Sequence, residues 1–201
     1  MVEWHFLDSV LQQMGFGSIW RGWINSCLAT TSVSVLVNGT PTSPFPMKRG
    51  LGQGDPLSPF LFVLVVEVLS RLLHTASSGG LFRGLKVRKD EVHISHLQFA
   101  DDTIVMCEAQ LDYIRNVKKL LQGFQAISGL KVNYQKSGLL VLGMDDAWKQ
   151  EALSILGCSL LDLPFNYLGF PLGTSMRLVS SWNPILQKIK QKLAFGKLKH
   201  F

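Results

Sequence analysis

The chain has 201 residues, 47% of them hydrophobic, and a formal net charge of +6. That apolar content supports a sizeable core and excludes a disordered tail, and the length fits one domain, or one domain and part of another. The longest apolar run, Pro59 to Val66, is closed by Glu67 and followed by Arg71, far short of the ~20 residues a membrane span needs.

No basic stretch leads into an apolar one at the N-terminus, so no secretory leader is legible. Cys27, Cys107 and Cys158 are odd in number and widely spaced. They fit neither a disulfide framework nor a zinc site and point to a reducing compartment, the cytoplasm or nucleus. The charge is uneven. From Leu163 to Phe201 there is no acidic residue, and Arg177, Lys188, Lys190, Lys192, Lys197 and Lys199 carry the whole net excess. Such a segment fits a polyanionic partner such as nucleic acid, and it equally fits a solvated helix face.

Val2, Phe6, Leu7, Val10, Leu11 and Met14 recur at helical spacing, with Gly15 placed as a C-cap. No capping segment precedes them, so the chain is expected to open inside a longer pattern. Ser18 is placed to cap a second helix, in which Ile19, Trp20, Trp23, Ile24, Cys27 and Leu28 form the apolar stripe and both tryptophans are expected in the core. Thr31 to Val37 alternates like a strand, Asn38-Gly39 is a hairpin turn signal, and Pro44 to Lys48 is expected to return as an edge strand. Gly50, Gly52 and Gly54 let backbone approach a ligand or another strand closely. Asp55-Pro56 and Ser58-Pro59 each offer a helix start. The helix that follows is expected to reach about His74 and to be mostly buried, because its circumference is almost wholly apolar through Val66. Thr75 to Gly80 reads as a loop.

Gly84 to Val87, Val92 to Ala100 and Thr103 to Cys107 read as strands. Leu111, Ile114, Val117, Leu120, Leu121, Phe124 and Ile127 mark an amphipathic helix ending near Ser128-Gly129. Leu130 to Leu142 reads as extended, with a turn near Tyr134-Gln135. Asp145 or Asp146 caps a helix to about Leu156. Tyr167 to Gly173 is short, apolar and glycine-punctuated. Asn183-Pro184 opens a last helix, with Ile185, Leu186, Ile189 and Leu193 on one side and lysines on the other. Hairpin-linked strands with helices between them predict an α+β fold with an antiparallel sheet.

The stretch that organises the chain is His96 to Met106. Asp101 and Asp102 sit between two short runs rich in branched residues, which reads as a hairpin with the Asp pair at its turn. Adjacent carboxylates repel, and a divalent cation offsets that repulsion. Hard oxygen ligands suit Mg²⁺ or Mn²⁺, the ions of phosphoryl-transfer sites. Asp is also an ordinary turn residue that binds nothing.

Taken together, these blocks resemble the reverse transcriptase of plant LINE-type non-LTR retrotransposons, over nearly the whole chain. Gln53-Gly54-Asp55-Pro56-Leu57-Ser58-Pro59 with Leu61-Phe62 is similar to motif B, and Phe99-Ala100-Asp101-Asp102 to motif C. Gly129-Leu130-Lys131-Val132-Asn133 with Lys136-Ser137 is similar to motif D. Tyr167-Leu168-Gly169 with Pro171-Leu172-Gly173 is similar to the primer grip, motif E, and Trp182 onward to the start of the thumb. A single block is a weak signal; their shared order is a specific one.

The resemblance implies a reverse-transcriptase palm over residues 1–175, an antiparallel sheet with helices packed on one face, and the start of a thumb over 176–201. It implies an RNA-directed DNA polymerase that uses Mg²⁺ (or Mn²⁺), an RNA template, a DNA primer and deoxynucleoside triphosphates, with no membrane. Asp101 would be a metal ligand, with Asp102 beside it as a weaker ligand or electrostatic support. Lys136 would serve the leaving pyrophosphate. Gln53, Gly54, Phe99 and Ala100 would line the nucleotide and template pocket. Tyr167, Leu168 and Gly169 would hold the primer end, and Lys188 and Lys192 would meet nucleic-acid phosphates.

The family also uses an Asp in motif A. Met1-Val2-Glu3-Trp4 matches what normally follows that motif, so motif A and the fingers are expected upstream of this chain, and the chain is expected to be inactive alone. Gly52 stands where relatives commonly carry Arg. The alternatives are a non-catalytic nucleic-acid-binding remnant and a decayed transposon fragment without function.

Overall fold

The helices form where the apolar spacing places them, and the computed structural model describes them within residues 1–87, 92–175 and 177–197. Helix α1 (Trp4–Gln13) buries Leu7, Val10 and Leu11, and α2 (Ser18–Ala29) buries Ile24 and Leu28. The N-cap of α2 is Gly17 and gives no side-chain hydrogen bond, so Ser18 is the first helical residue and not the expected cap. Trp20 packs on the core and stacks on Phe16 at 4.5 Å between ring centroids. Trp23 is 63% exposed, against the expectation of burial. Residues four apart share a helix face. The row Trp20, Ile24, Leu28 turns inward, and the row Ile19, Trp23 turns out.

The long helix α3 (Ser58–Ser78) buries Ser58, Leu61, Val65, Val66, Leu69, Leu73 and Ala76. It corrects two expectations. First, its burial is a stripe and not all-round, for Phe60 is 72% exposed. Second, it continues through the expected Thr75 to Gly80 loop as far as Ser78, because Ala76 has a place in the core. Among the described residues, α3 is the one helix long and apolar enough to cross a membrane by length and composition. Here it is the central core helix, packed against α1 and against α4 (Leu111–Ser128). Helix α4 buries Ile114, Val117 and Phe124 and ends at Gly129. Helix α5 (Asp146–Leu156) packs on α4 and is capped as expected by Asp145, whose Oδ1 accepts from the Trp148 backbone at 2.8 Å. A short 3₁₀ turn (Val179–Trp182) leads into α6 (Asn183–Lys197).

The strands are two to four residues long and form six separate two-stranded pairings among the described residues, not the single antiparallel sheet expected. Five pairings are antiparallel: β1 (Ser32–Val33) with β4 (Phe45–Pro46), β2 (Leu36–Val37) with β3 (Thr40–Pro41), β5 (Leu85–Val87) with β6 (Val92–Ile94), β7 (His96–Phe99) with β8 (Asp102–Val105), and β11 (Phe165–Tyr167) with β12 (Phe170–Leu172). The sixth, β9 (Gly138–Leu140) with β10 (Ser159–Leu161), is parallel, its crossover made through α5. Turn chemistry sets the β2–β3 closure. Asn38 and Gly39 both have positive φ, the requirement of a type I′ hairpin turn. Strands this short place few side chains on either face, so each hairpin is held by what it packs against and not by a further strand.

The first residues of the chain thread between two distant loops. Gly50 donates its N–H to Val2 O at 2.7 Å, and Glu3 donates to Ser128 O at 2.9 Å. At Gly129 a Cβ would lie 2.6 Å from Met1 O, and φ is +73°, so only glycine fits there.

Candidate active site

In the β7–β8 hairpin, His96 pairs with Val105, Leu97 with Ile104, Gln98 with Thr103, and Phe99 with Asp102. That register leaves Ala100-Asp101 as a two-residue turn, with Asp102 opening β8. Ala100 has φ +51°, and Asp101 is not in the positive-φ region. The sign pattern is that of a type II′ turn, whose first position favours Gly; an Ala there is strained. Both carboxylates are exposed. The Asp pair is therefore at a hairpin turn, as the alternation predicts.

The faces of β7 are less obvious from the sequence. His96 and Gln98 are half-buried, while Leu97 is exposed and Phe99 is 62% exposed. His96 points toward α3, which packs against β7, Gln98 shares its half-buried face, and the apolar pair faces out. His96 Nε2 lies 2.9 Å from Ser70 Oγ on α3, and its Nδ1 lies 2.9 Å from Ser95 Oγ. Burial, foremost, and then nearby His74 hold the His96 pKa below the ordinary histidine value, against a smaller opposing pull from Glu67.

Gln53 and Gly54 are exposed in the turn ahead of α3. No atom lies within 4 Å of a Cβ built on Gly54, and its φ is +91°, so glycine is required there by backbone conformation and not by crowding within the chain. Asp55 holds the turn: its carboxylate accepts from Leu57 N at 3.3 Å and from Ser58 Oγ at 2.8 Å. The N-cap of α3 is Leu57, so neither Asp55-Pro56 nor Ser58-Pro59 supplies the cap-plus-proline start that the sequence offers.

Lys136 is exposed at the end of the Tyr134–Lys136 turn, where its backbone N–H donates to Asn133 O and Oδ1, each at 3.1 Å. Leu168 and Gly169, φ +50° and +85°, form the two-residue turn of the β11–β12 hairpin that Tyr167 enters. Lys188 and Lys192 are exposed one turn apart on α6, and with Ile185, Ile189 and Gln191 they line an open depression of ≈ 380 Å³. Lys199 lies outside the described residues.

The structure thus gathers Phe99, Ala100, Asp101 and Asp102 on one hairpin tip and leaves the other candidate residues on separate turns and on α6. Helix α3 links two of the groups, since the Gln53-Gly54 turn leads into its start and its Ser70 meets β7. Among the described residues, no group of three or more His, Cys, Asp or Glu is placed to hold a metal ion. The Asp pair has the hard oxygen donors that suit Mg²⁺ or Mn²⁺ and supplies only part of a coordination shell. The sequence did not mark Ser70 or His96; a histidine at the start of a strand whose alternate side chains are apolar was the available signal.

A family described as reverse transcriptase (RNA-dependent DNA polymerase) matches residues 1–172. The chain belongs to the reverse transcriptase family. It is 32% identical over 145 residues to the retrovirus-related Pol polyprotein from the type-2 retrotransposable element R2DM of Drosophila melanogaster, covering 72% of this chain and 12% of that one. It is 25% identical over 167 residues to an uncharacterized 149 kDa protein of transposon TX1 from Xenopus laevis, covering 78% of this chain and 12% of that one. An uncharacterized mitochondrial protein of Arabidopsis thaliana is 48% identical over 68 residues, 34% of this chain and 56% of that protein. The chain thus spans from 12% to 56% of the length of these relatives. Reverse transcriptases of non-LTR retrotransposons are its kin, as the order of the sequence blocks implies, and the fold is that family's mixture of helices and small antiparallel pairings.

Proposed function

We propose that this chain is part of the palm of an RNA-directed DNA polymerase of a non-LTR retrotransposon, with residues 1–175 belonging to the palm and 176–201 opening the thumb. One observation carries the reading: an Asp pair at the tip of a hairpin whose first strand packs against the central helix of a reverse-transcriptase-family chain. Its substrates are an RNA template, a DNA primer and deoxynucleoside triphosphates. Asp101 and Asp102 are the residues that would hold Mg²⁺ or Mn²⁺. That ion, when bound, supplies charge neutralisation at the nucleotide phosphates.

The remaining assignments rest on the resemblance of the sequence blocks to the family's motifs. Gln53 and Gly54, with Phe99 and Ala100, border the nucleotide and template. Lys136 brings a cation to the leaving pyrophosphate. Tyr167, Leu168 and Gly169 contact the primer end, and Lys188 and Lys192 meet duplex phosphates. The described residues supply only part of a coordination shell, and the chain spans 12% of two of its relatives, so the completing carboxylate and the triphosphate contacts are assigned to parts of the polymerase that this chain does not cover. Free, half-buried Cys107 and Cys158 suit a reducing compartment, the cytoplasm or nucleus.

A second reading is nucleic-acid binding without catalysis, favoured by the partial ligand set and the acid-free C-terminal segment. Mg²⁺-dependent primer extension on an RNA template, with the purified chain and its Asp101→Ala variant, tests the outside-ligand account and the role of the Asp pair. No extension by either is expected. Extension abolished in Asp101→Ala would place a complete centre in this chain and overturn the outside-ligand account. Extension that survives Asp101→Ala would overturn the role of the Asp pair.

A further inference from the structure

We propose that His96 is a positioning residue for the Asp101–Asp102 hairpin, clamping β7 to the central helix α3 through Ser70. The inference rests on the reading of that hairpin as the metal-bearing element of the site. His96 is the first residue of β7 and pairs with Val105, so it stands at the root of the hairpin whose tip carries the carboxylates. Both its ring nitrogens are engaged, one by Ser70 Oγ and the other by Ser95 Oγ, each at 2.9 Å. A neutral imidazole has one donor and one acceptor nitrogen, and two serine hydroxyls satisfy both.

The two serines are anchored on both sides. Ser95 is buried and its carbonyl accepts from Met106 N at 2.8 Å, beyond the end of β8, so both strands are tied at the same level. Ser70 follows Leu69 on α3, a helix fixed in the core by Leu69 and Leu73. The exposed outer face, Leu97 and Phe99, gives the hairpin no such support. The inward contact of β7 with α3 therefore sets where the tip lies relative to the Gln53-Gly54 turn at the start of that helix. Side chains that orient metal-bearing groups act in this way, by fixing a rotamer and a strand without touching the ion.

The clamp is also exposed to pH. An open depression of ≈ 400 Å³ lined by Glu67, Ser70, Arg71, His74, Thr75 and His96 brings solvent to the ring. From α3, the charged and titratable groups facing His96 are Glu67, ion-paired with Arg71 at 3.3 Å, and His74. From β8, its partner Val105 brings none. A proton on His96 would meet a half-buried site and the neighbouring His74, and only Glu67 would favour it.

The test is native-state amide exchange on the full chain, in the wild type and in Ser70→Ala, His96→Ala and His96→Gln. In Ser70→Ala and His96→Ala the β7–β8 amides should exchange roughly fivefold faster, the weight of one net hydrogen bond, while α1 and α4 amides keep their rates. His96→Gln, whose amide can still meet Ser70, should restore most of the protection. In the wild type, after correction for intrinsic rates, hairpin exchange should quicken as pH falls through the His96 pKa, and in His96→Gln it should not. Unchanged hairpin rates in Ser70→Ala and His96→Ala would overturn the proposal, and so would an equal acceleration in α1 and α4. Exchange reads hairpin order alone, so a failure here is distinguishable from a failure of the polymerase reading, which extension and metal binding test.

Discussion

The indole Nε1 of Trp4 donates a hydrogen bond to the carbonyl of Gly50 at 2.6 Å, across 46 residues of chain. It joins the start of α1 to the loop that leads toward α3. Gly50 is buried, so its carbonyl has little water to turn to. Trp4→Phe keeps an aromatic ring and removes the donor. The expected loss is about 1–3 kcal/mol, the cost of leaving a buried acceptor unpaired. Urea unfolding of the two proteins measures it directly, and equal midpoints would show that the bond contributes nothing.

Ala100 lies in the left-handed region at the hairpin turn, where glycine is free of strain. Ala100→Gly should therefore stabilise the chain by about 0.5–1 kcal/mol, despite the greater chain entropy that glycine brings to the unfolded state. A thermal midpoint raised by a few degrees is the predicted reading, of the order expected for a domain of this size. A lowered midpoint would mean that Ala100 carries no strain.

Part of this architecture is legible in the sequence and part of it is not. The helices were legible because Leu7 with Leu11, Ile24 with Leu28, and Leu69 with Leu73 repeat at the spacing that puts them on one face. The hairpin turns were legible because Asn38-Gly39 and Leu168-Gly169 punctuate the chain, and the Asp pair fell at a turn for the same kind of local reason. What period two cannot say is which face of a strand turns inward. On β7 the inward face is His96 and Gln98, because α3 offers Ser70 there, and that is a fact about residues 26 positions apart. The single sheet expected from hairpin-linked strands also failed at this level. Alternation predicts strands, and only tertiary packing decides whether neighbouring hairpins join. Trp23 is the helical counterpart: its apolar character gave no sign that its row would face out.

Protonation gives a third prediction. Burial lowers the His96 pKa in the folded chain, so the unfolded chain binds this proton more readily. Stability should then fall as pH drops below about 6.5, the ordinary histidine value, and level off once pH passes the lowered folded value. His96→Gln should flatten that part of the profile. Denaturant midpoints between pH 7.5 and 5 measure the effect in both proteins. Profiles of the same slope would assign the pH dependence to other groups.

The basic helix gives a fourth. If Lys188 and Lys192 meet phosphates, duplex binding should weaken steeply with salt, with a log-log slope of roughly −3 to −4.5 for three to five contacts. The double change Lys188→Ala with Lys192→Ala should make the slope shallower by roughly two units, since the pair shares one face of α6. Asp101→Ala should leave it nearly untouched. Anisotropy across a salt series gives all three slopes. A slope indifferent to the lysines would mark α6 as an ordinary solvated face and favour the decayed-fragment reading.

The central claim is that Asp101 and Asp102 bear a divalent cation at the hairpin tip. It is tested most directly by titrating the ¹⁵N-labelled chain with Mn²⁺ and following paramagnetic broadening of its amide signals. The account predicts broadening centred on Ala100, Asp101, Asp102 and Thr103, displaced by excess Mg²⁺ and lost when both carboxylates are changed to amides in Asp101→Asn with Asp102→Asn. Broadening that is absent from the tip, or that persists there without the carboxylates, would contradict it.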